Sequence, residues 1–451
     1  MVTKAKKTPL TCIILAAGKG TRMKTSLPKV LHPVAGRPML FQVIETAKSL
    51  NPARIIVVLA PDMKDLEALL TRSQFGCEVV YQDKQLGTGH AVKCAESIMK
   101  NDKGNVLILY GDTPLISADS LRWMEKGFET KKHALVVLGM QCKDPGSYGR
   151  LVHNKKGELD AIVEARDADD EQLKINLCNA GIFYLPAQSL FGWLAKIKNK
   201  NAQKEYYLTD IVALARKEKK SCGMVITNEL ECTGVNTRAQ LADVNRIVQR
   251  LLRRRVMDAG VTLIDPETVY LCTDTRFEQD VVVHPHVVFG PGVAVATGVE
   301  IKSFSHIEGT KIASGATIGP FARLRPGSII GEGAMVGNFV EIKQSVLERG
   351  AKASHLSYIG DAHVGEKANI GAGTITCNYD GYNKNRTVIG ARAFIGSNSA
   401  LVAPVIIGDG AIVGAGSVIT EDVESDALAV SRAQQKQKPG WAKAFRNRKN
   451  N

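Results

Sequence analysis

A chain of 451 residues is long enough for two or three domains with their own cores. Its 44% hydrophobic and 23% charged residues are those of a globular protein, and 41 glycines against 6% aromatics argue for many tight turns. The formal net charge of +14 suits phosphorylated small molecules, nucleic acid or an anionic membrane. No apolar run approaches the ~20 residues a membrane-spanning helix needs. The nine cysteines fall singly with no CxxC pair, which speaks against a disulfide framework or a zinc site. The basic start MVTKAKKTPL leads into a short apolar stretch ending in Gly-Lys-Gly, not a signal peptide, so the expected location is cytoplasmic.

Residues 1–238 alternate apolar runs with amphipathic stretches. Strands are expected at Thr11–Ala17, Ile55–Ala60, Val106–Tyr110 and Ala134–Met140, and helices at Met39–Ser49 and His90–Met99. That alternation predicts an α/β, Rossmann-like domain with a mostly parallel sheet, whose ligands sit at the carboxyl ends of the strands. Residues 239–259 predict a linker helix, with Leu241, Val244, Ile247, Val248, Leu251 and Leu252 at helical spacing. Its five arginines between 246 and 255 read as a solvated face.

From residue 260 the rhythm changes to six. Val283, Phe289, Val295, Ile301 and Ile307 share that spacing, as do Ile312, Ile318, Leu324, Ile330, Val336 and Ile342, and again Ile389, Ile395, Leu401, Ile407, Val413 and Ile419. Glycine often follows the aliphatic residue. This hexapeptide pattern predicts a parallel β-helix of triangular coils with the aliphatic residues inside. The register slips between Ile342 and Ile389, where Cys377–Asn385 reads as a loop ejected from the coil. Residues 432–451 form a basic tail with seven Lys or Arg and no acid.

Two motif sets carry the chemistry. After the first strand comes Leu15-Ala16-Ala17-Gly18-Lys-Gly-Thr-Arg22, followed by Lys29. A glycine-rich turn at a strand end lets backbone N–H groups approach phosphate, and the sequence is neither a Walker A motif nor a dinucleotide fingerprint. Together with Gln82, the Gln85-Leu-Gly87-Thr88-Gly turn and Tyr110-Gly111-Asp112, this segment resembles the nucleotide-sugar pyrophosphorylases. The resemblance implies that UTP and a nucleotide sugar contact those residues and that Gly149, Glu164, Asn179 and Asn236 follow in the family's order. It also implies Mg²⁺ on Asp112 and Asn236, with Arg22 and Lys29 offsetting phosphate charge.

The second set lies in the hexad region: Arg323-Leu-Arg325, Glu341-Ile-Lys343, His355-Leu-Ser-Tyr358, and Asn369 through Asn378-Tyr379 to Gly381. With both sets in order over roughly residues 10–440, the chain resembles the bifunctional N-acetylglucosamine-1-phosphate uridylyltransferase/glucosamine-1-phosphate N-acetyltransferases. The resemblance implies a left-handed β-helix, a homotrimer, His355 as general base, and Arg325, Lys343, Tyr358 and Asn369 around glucosamine-1-phosphate. It places acetyl-CoA against Ala372, Asn378, Tyr379, Ser397, Ala415 and Arg432. It further implies UDP-N-acetylglucosamine for peptidoglycan and lipopolysaccharide synthesis as the product. Trp441 and Phe445 in the tail offer rings to a neighbouring subunit or to coenzyme A.

Two other readings compete. A single-activity pyrophosphorylase with a structural β-helix needs neither His355 nor the Asn378-Tyr379 loop. A nucleic-acid-binding protein rests on charge alone, without an aromatic–basic module, so no nucleic-acid partner is expected.

Overall fold

A computed structural model describes residues 8–447 of the chain. Residues 1–7 and 448–451, the basic start and the last part of the basic tail, lie outside the described residues. The chain forms two compact units, one ending at Val248 and one beginning at Gln249.

The first unit is built on a nine-stranded sheet. Leu10–Leu15, buried throughout, pairs in parallel with Arg54–Leu59 on one side and Asn105–Tyr110 on the other. A run of aliphatic residues with both faces covered is what a central parallel strand requires. Because the chain departs from this strand in both directions, a crevice opens beyond Leu15 and its partner Tyr110. Glu78–Tyr81 extends the sheet in parallel beside Arg54–Leu59. Leu177–Pro186 enters antiparallel between Asn105–Tyr110 and Leu135–Gln141. The hairpin of Arg150–His153 and Leu159–Val163 branches from it.

The four expected strands are present with ends shifted by one or two residues. The expected helix over 90–99 is not continuous. It is an α-helix over Thr88–Lys93 and a separate 3-10 turn at Glu96–Ile98. The Ala95 N–H reaches back only to Val92 O, which tightens the chain between the two.

A helix over Arg238–Asp258 runs from the first unit into the second. Its first half belongs to the first unit, where Asn245 Oδ1 accepts from the Ala35 N–H at 2.9 Å. Its second half is part of the second unit, where Gln249 Nε2 donates to Leu271 O at 2.6 Å. The solvated-arginine reading fails at Arg253. That side chain is buried and donates to Val269 O at 2.9 Å and to Glu267 Oε2 at 2.9 Å. Orphan carbonyls at the first coil require a buried donor, and the arginine fork meets them.

The second unit is a left-handed β-helix with three parallel sheets of ten, eight and eight strands, one per face. Each short strand turns one side chain inward, so Ile301, Ile318, Val336, Ala353, Ile370, Ile395 and Val413 stack in one buried column. The register slip has a structural cause. The steps from Ile342 to Leu347 and from Ile359 to Val364 are five residues instead of six, whereas the step from Thr376 to Ile389 is thirteen. The extra residues of that long step leave the coil between the strands Ile375–Cys377 and Thr387–Ile389.

One corner of the helix carries a left-handed residue in every coil. His286, Phe304, Phe321, Phe339 and Leu356 occupy it with φ of 49–62°. Their side chains stack outward, with ring centroids 4.9, 4.8 and 5.1 Å apart from His286 to Phe339. Phe304, Phe321, Phe339 and Leu356 are all exposed.

Candidate active sites

The crevice of the first unit holds two adjoining cavities. One, of about 260 Å³, is lined by Leu15, Ala16, Ala17, Gly18, Lys29, Gln82, Gly87, Thr88, Tyr110 and Asp112. The other, of about 460 Å³, is lined by Arg22, Gly149, Glu164, Asn179 and Asn236, and it shares Thr88, Tyr110, Asp112 and Glu205 with the first. Gly111 lines neither. A side chain there would press on Leu40, Val30 and Ala16, so that glycine permits close packing under the site.

Local geometry follows from the glycine-rich turns. Gly20 has φ +59°, and a Cβ there would stand 2.6 Å from Lys29 Cβ, so the turn lets Lys29 fold back over the loop. Gly87 has φ +106°, and a Cβ would meet Tyr206 O at 2.7 Å. The Lys29 ammonium donates to Asp112 Oδ2 and, at 3.0 Å, to Asn236 Oδ1. Two oxygens from distant parts of the chain therefore converge on one cation. No cluster of three His, Cys, Asp or Glu capable of holding a metal occurs among the described residues. A pair of hard oxygen donors fits a divalent ion that takes its remaining ligands from water and substrate phosphates, as Mg²⁺ does.

The electrostatics of the crevice are set by burial. Tyr110 is pushed well above the usual phenol range by burial and then by the Glu164 carboxylate. Burial likewise raises Glu164, although Thr209 Oγ1 donates to its Oε1 at 3.2 Å, with Asp167, Asp210 and Glu205 adding repulsion. Sequence reasoning did not single out Glu205, Tyr207, Thr209 or Gln240, which also line the larger cavity. Gln240 Oε1 accepts from the Asn236 N–H at 2.8 Å and the Thr237 N–H at 3.1 Å, fixing the turn that carries Asn236.

On the β-helix the candidate residues lie on the outside. His355 ends the strand Lys352–His355, and its Nδ1 bonds Asn338 Oδ1 at 2.7 Å. An amide oxygen only accepts, so Nδ1 carries the proton and Nε2 keeps its lone pair. Asn338 lies one coil earlier in the same corner column. The same column runs on through Ala372, Ser397 and Ala415. The N–H of Asn398 bonds Ala372 O at 2.7 Å, and that of Gly416 bonds Ser397 O at 2.8 Å. The Arg432 guanidinium closes the series on Ala415 O. The insertion thus brings together residues that are unevenly spaced in sequence, one rung apart at ~4.8 Å.

Beside that column sits a charged group. Arg325 NH1 donates to Glu341 Oε1 at 2.9 Å, Lys343 Nζ lies 3.5 Å from Asp361 Oδ2, and Asn378 Nδ2 donates to the same carboxylate. Lys384, on the ejected loop, stands against Lys343. The contact with Lys384, then the pull of Asp361, raises Lys343, and Lys343 pushes Lys384 below the usual lysine range. Lys384 is an amine that sequence reasoning missed; its only signal was its place on the loop. Tyr379 bridges to Lys384 across the loop, which is tied by Asp380 accepting from the Tyr382 and Asn383 N–H groups at 2.8 and 2.7 Å. Tyr358 and Asn369 occupy outward positions on neighbouring faces. Trp441 and Phe445 stack on each other at 5.2 Å and are exposed.

Both halves match known family models. Residues 12–172 match the MobA-like NTP transferase domain, and residues 309–344 and 386–421 match the bacterial transferase hexapeptide repeats. The chain is 53% identical to bifunctional protein GlmU of Paramagnetospirillum magneticum, over 97% of this chain and 96% of that protein. It is 51% identical to the protein of the same name from Rhodopseudomonas palustris, over 98% and 97%. For that of Zymomonas mobilis the identity is 48%, over 98% of each. With a nucleotidyltransferase fold, a hexapeptide β-helix and relatives this similar along their whole length, the chain belongs to the family of bifunctional GlmU transferases.

Proposed function

We propose that the β-helix acetylates glucosamine-1-phosphate with acetyl-CoA and that the first unit then transfers UMP from UTP to N-acetylglucosamine-1-phosphate, releasing pyrophosphate. The observation that carries this reading is the corner column of His355, Ala372, Ser397 and Ala415 ending on Arg432. An extended thioester cofactor matches a column several rungs long with a cation at its far end, and a purely structural helix has no use for it.

In the acetyl transfer, the substrate amine attacks the thioester carbonyl and His355 Nε2 takes its proton. The Ala372 N–H has no partner among the described residues and is free to donate to the developing oxyanion. Arg325, Lys343 and Lys384 hold the sugar phosphate, Tyr358 and Asn369 orient the sugar, and Asn378 stands between the sugar and the acetyl donor. Ser397, Ala415 and Arg432 receive coenzyme A, with Tyr379 on the loop beside them.

In the uridylyl transfer, a phosphate oxygen of the sugar attacks the α-phosphorus of UTP. No protein nucleophile is required, so positioning and charge neutralisation carry the reaction. Asp112 and Asn236 would hold Mg²⁺, which when bound would supply neutralisation of the phosphate charge. Gly18, Arg22 and Lys29 address the phosphates, Gln82, Gly87 and Thr88 the base, and Gly149, Glu164 and Asn179 the sugar.

The exposed Phe304–Phe321–Phe339–Leu356 ladder beside His355 favours a homotrimer in which a second copy covers that corner and completes the acetyl site. No described helix is long and apolar enough to cross a membrane. Both co-substrates, UTP and acetyl-CoA, are cytoplasmic metabolites, which favours that compartment.

The test mixes purified protein with glucosamine-1-phosphate and acetyl-CoA, omits UTP, and follows thiol release. Wild type should release thiol. His355→Ala should lose about 10²–10⁴-fold of that rate and keep uridylyl transfer to N-acetylglucosamine-1-phosphate. No thiol release from folded wild type that still turns over UTP would leave a pyrophosphorylase with a structural β-helix.

A further inference from the structure

Gln82 lines the smaller cavity of the first unit and is 5% exposed. Its Nε2 lies 3.1 Å from Gly87 O and 3.2 Å from His90 Nδ1. A backbone carbonyl only accepts, so the amide nitrogen must face Gly87 and the amide cannot be reversed. One N–H goes to Gly87, and the second is aimed at His90. The imidazole Nδ1 must therefore present a lone pair, and the ring proton must sit on Nε2. Gln82 Oε1 has no hydrogen-bond partner among the described residues and is left open to the cavity.

The orientation has a consequence for base recognition. A lone amide oxygen facing the cavity accepts a hydrogen bond. Uracil offers N3–H as a donor, whereas cytosine offers N3 as an acceptor, so the two bases differ at the atom such an oxygen would read. A site built to hydrogen-bond one partner rejects an analogue that leaves its buried group unpaired. His90 lines neither cavity of the crevice. It sits behind Gln82 on the first turn of Thr88–Lys93, with its other side on a separate cavity lined by Lys93, Cys94 and Lys100.

We infer that His90 is a positioning residue which, by accepting from Gln82 through Nδ1, locks the Gln82 oxygen toward the base and so selects UTP over CTP. This rests on the reading of the cavity as a UTP site. Burial, then the nearby Lys93 ammonium, holds the imidazole below its usual range against a smaller opposing pull from Asp83, which keeps the neutral form available.

The experiment measures kcat/KM for UTP and for CTP, with N-acetylglucosamine-1-phosphate as acceptor, in wild type, His90→Ala and His90→Asn. The asparagine oxygen can stand where Nδ1 stood and accept from Gln82; alanine cannot. The UTP-to-CTP ratio should fall about tenfold in His90→Ala, mainly through KM for UTP, and recover in His90→Asn to within about threefold of wild type. A kcat with saturating UTP that is retained in the variant reports that the first unit is folded. An unchanged ratio in folded His90→Ala, or an equal fall in both variants, overturns the inference. If His90→Ala does not fold, ¹⁵N NMR of the wild-type imidazole decides: a proton on Nε2 supports it, a proton on Nδ1 overturns it. A wild type that does not turn over UTP would instead sink the uridylyl reading beneath it.

Discussion

In the first unit the reactive groups line cavities of about 260 and 460 Å³, whereas on the β-helix they stand on an outer corner and hold one another in ion pairs. Burial does the electrostatic work in the crevice, lifting Tyr110 and Glu164 above their usual ranges. On the β-helix the work falls to geometry. A rigid repeat places His355, Ala372, Ser397 and Ala415 in line, and Arg325, Lys343, Lys384, Glu341 and Asp361 balance their charges in the open. All the residues lining the crevice come from one unit. An open site needs walls from its substrates and, on the present reading, from a second copy.

That contrast can be broken most directly at Asp112. Replacing it with Asn removes the carboxylate that pairs with Lys29, and a half-buried ammonium is left with only neutral oxygens such as that of Asn236. Uridylyl transfer should fall by about 10³-fold while acetyl transfer stays within twofold of wild type, measured on one preparation. A comparable loss of acetyl transfer would show that the two sites are not independent.

A smaller effect should come from Phe321→Asp, in the middle of the exposed ladder. A charge there opposes any apolar contact with a second copy, so sedimentation should show smaller species. Acetyl transfer should drop by about tenfold or more and uridylyl transfer should persist. An unchanged mass would assign the ladder to something other than assembly.

The smallest expected effect concerns pH. Glu164 has its carboxyl raised, first by burial, so the folded state holds the proton more tightly than the unfolded chain. The charged form therefore costs the fold stability at neutral pH. That cost is relieved as pH falls through the raised value toward the ordinary glutamate range. Glu164→Gln should raise Tm at pH 7.5 by about 1–3 °C, with the gain shrinking on acidification. A gain that grows toward acid would reverse the sign of the argument.

Much of the architecture was legible before any coordinates. The hexads signal the coils because each inward position of a β-helix is aliphatic and the spacing of six recurs in three separate runs. Strand–helix alternation and the run Thr11–Ala17 gave the central strand for the same reason, since burial on both faces selects continuous apolar residues. Local spacing said less about irregular segments. The break between Lys93 and Glu96 and the burial of Arg253 depend on which carbonyls of distant segments need donors, and no window of neighbouring residues contains that information.

The sequence by itself determined the two units' fold classes and the residue types of both candidate sites, because phosphate-binding turns, a strand-end carboxylate and hexapeptide coils are written in short contiguous motifs. How those residues meet follows from the fold. It set Lys29 between Asp112 and Asn236, aligned His355 with Ala372, Ser397 and Ala415 despite an uneven spacing, brought Lys384 to Lys343, and put His90 behind Gln82. The physical reason is the same in each case. Hydrogen bonds and charge pairs act over a few ångströms in space, and the fold alone decides which residues come that close.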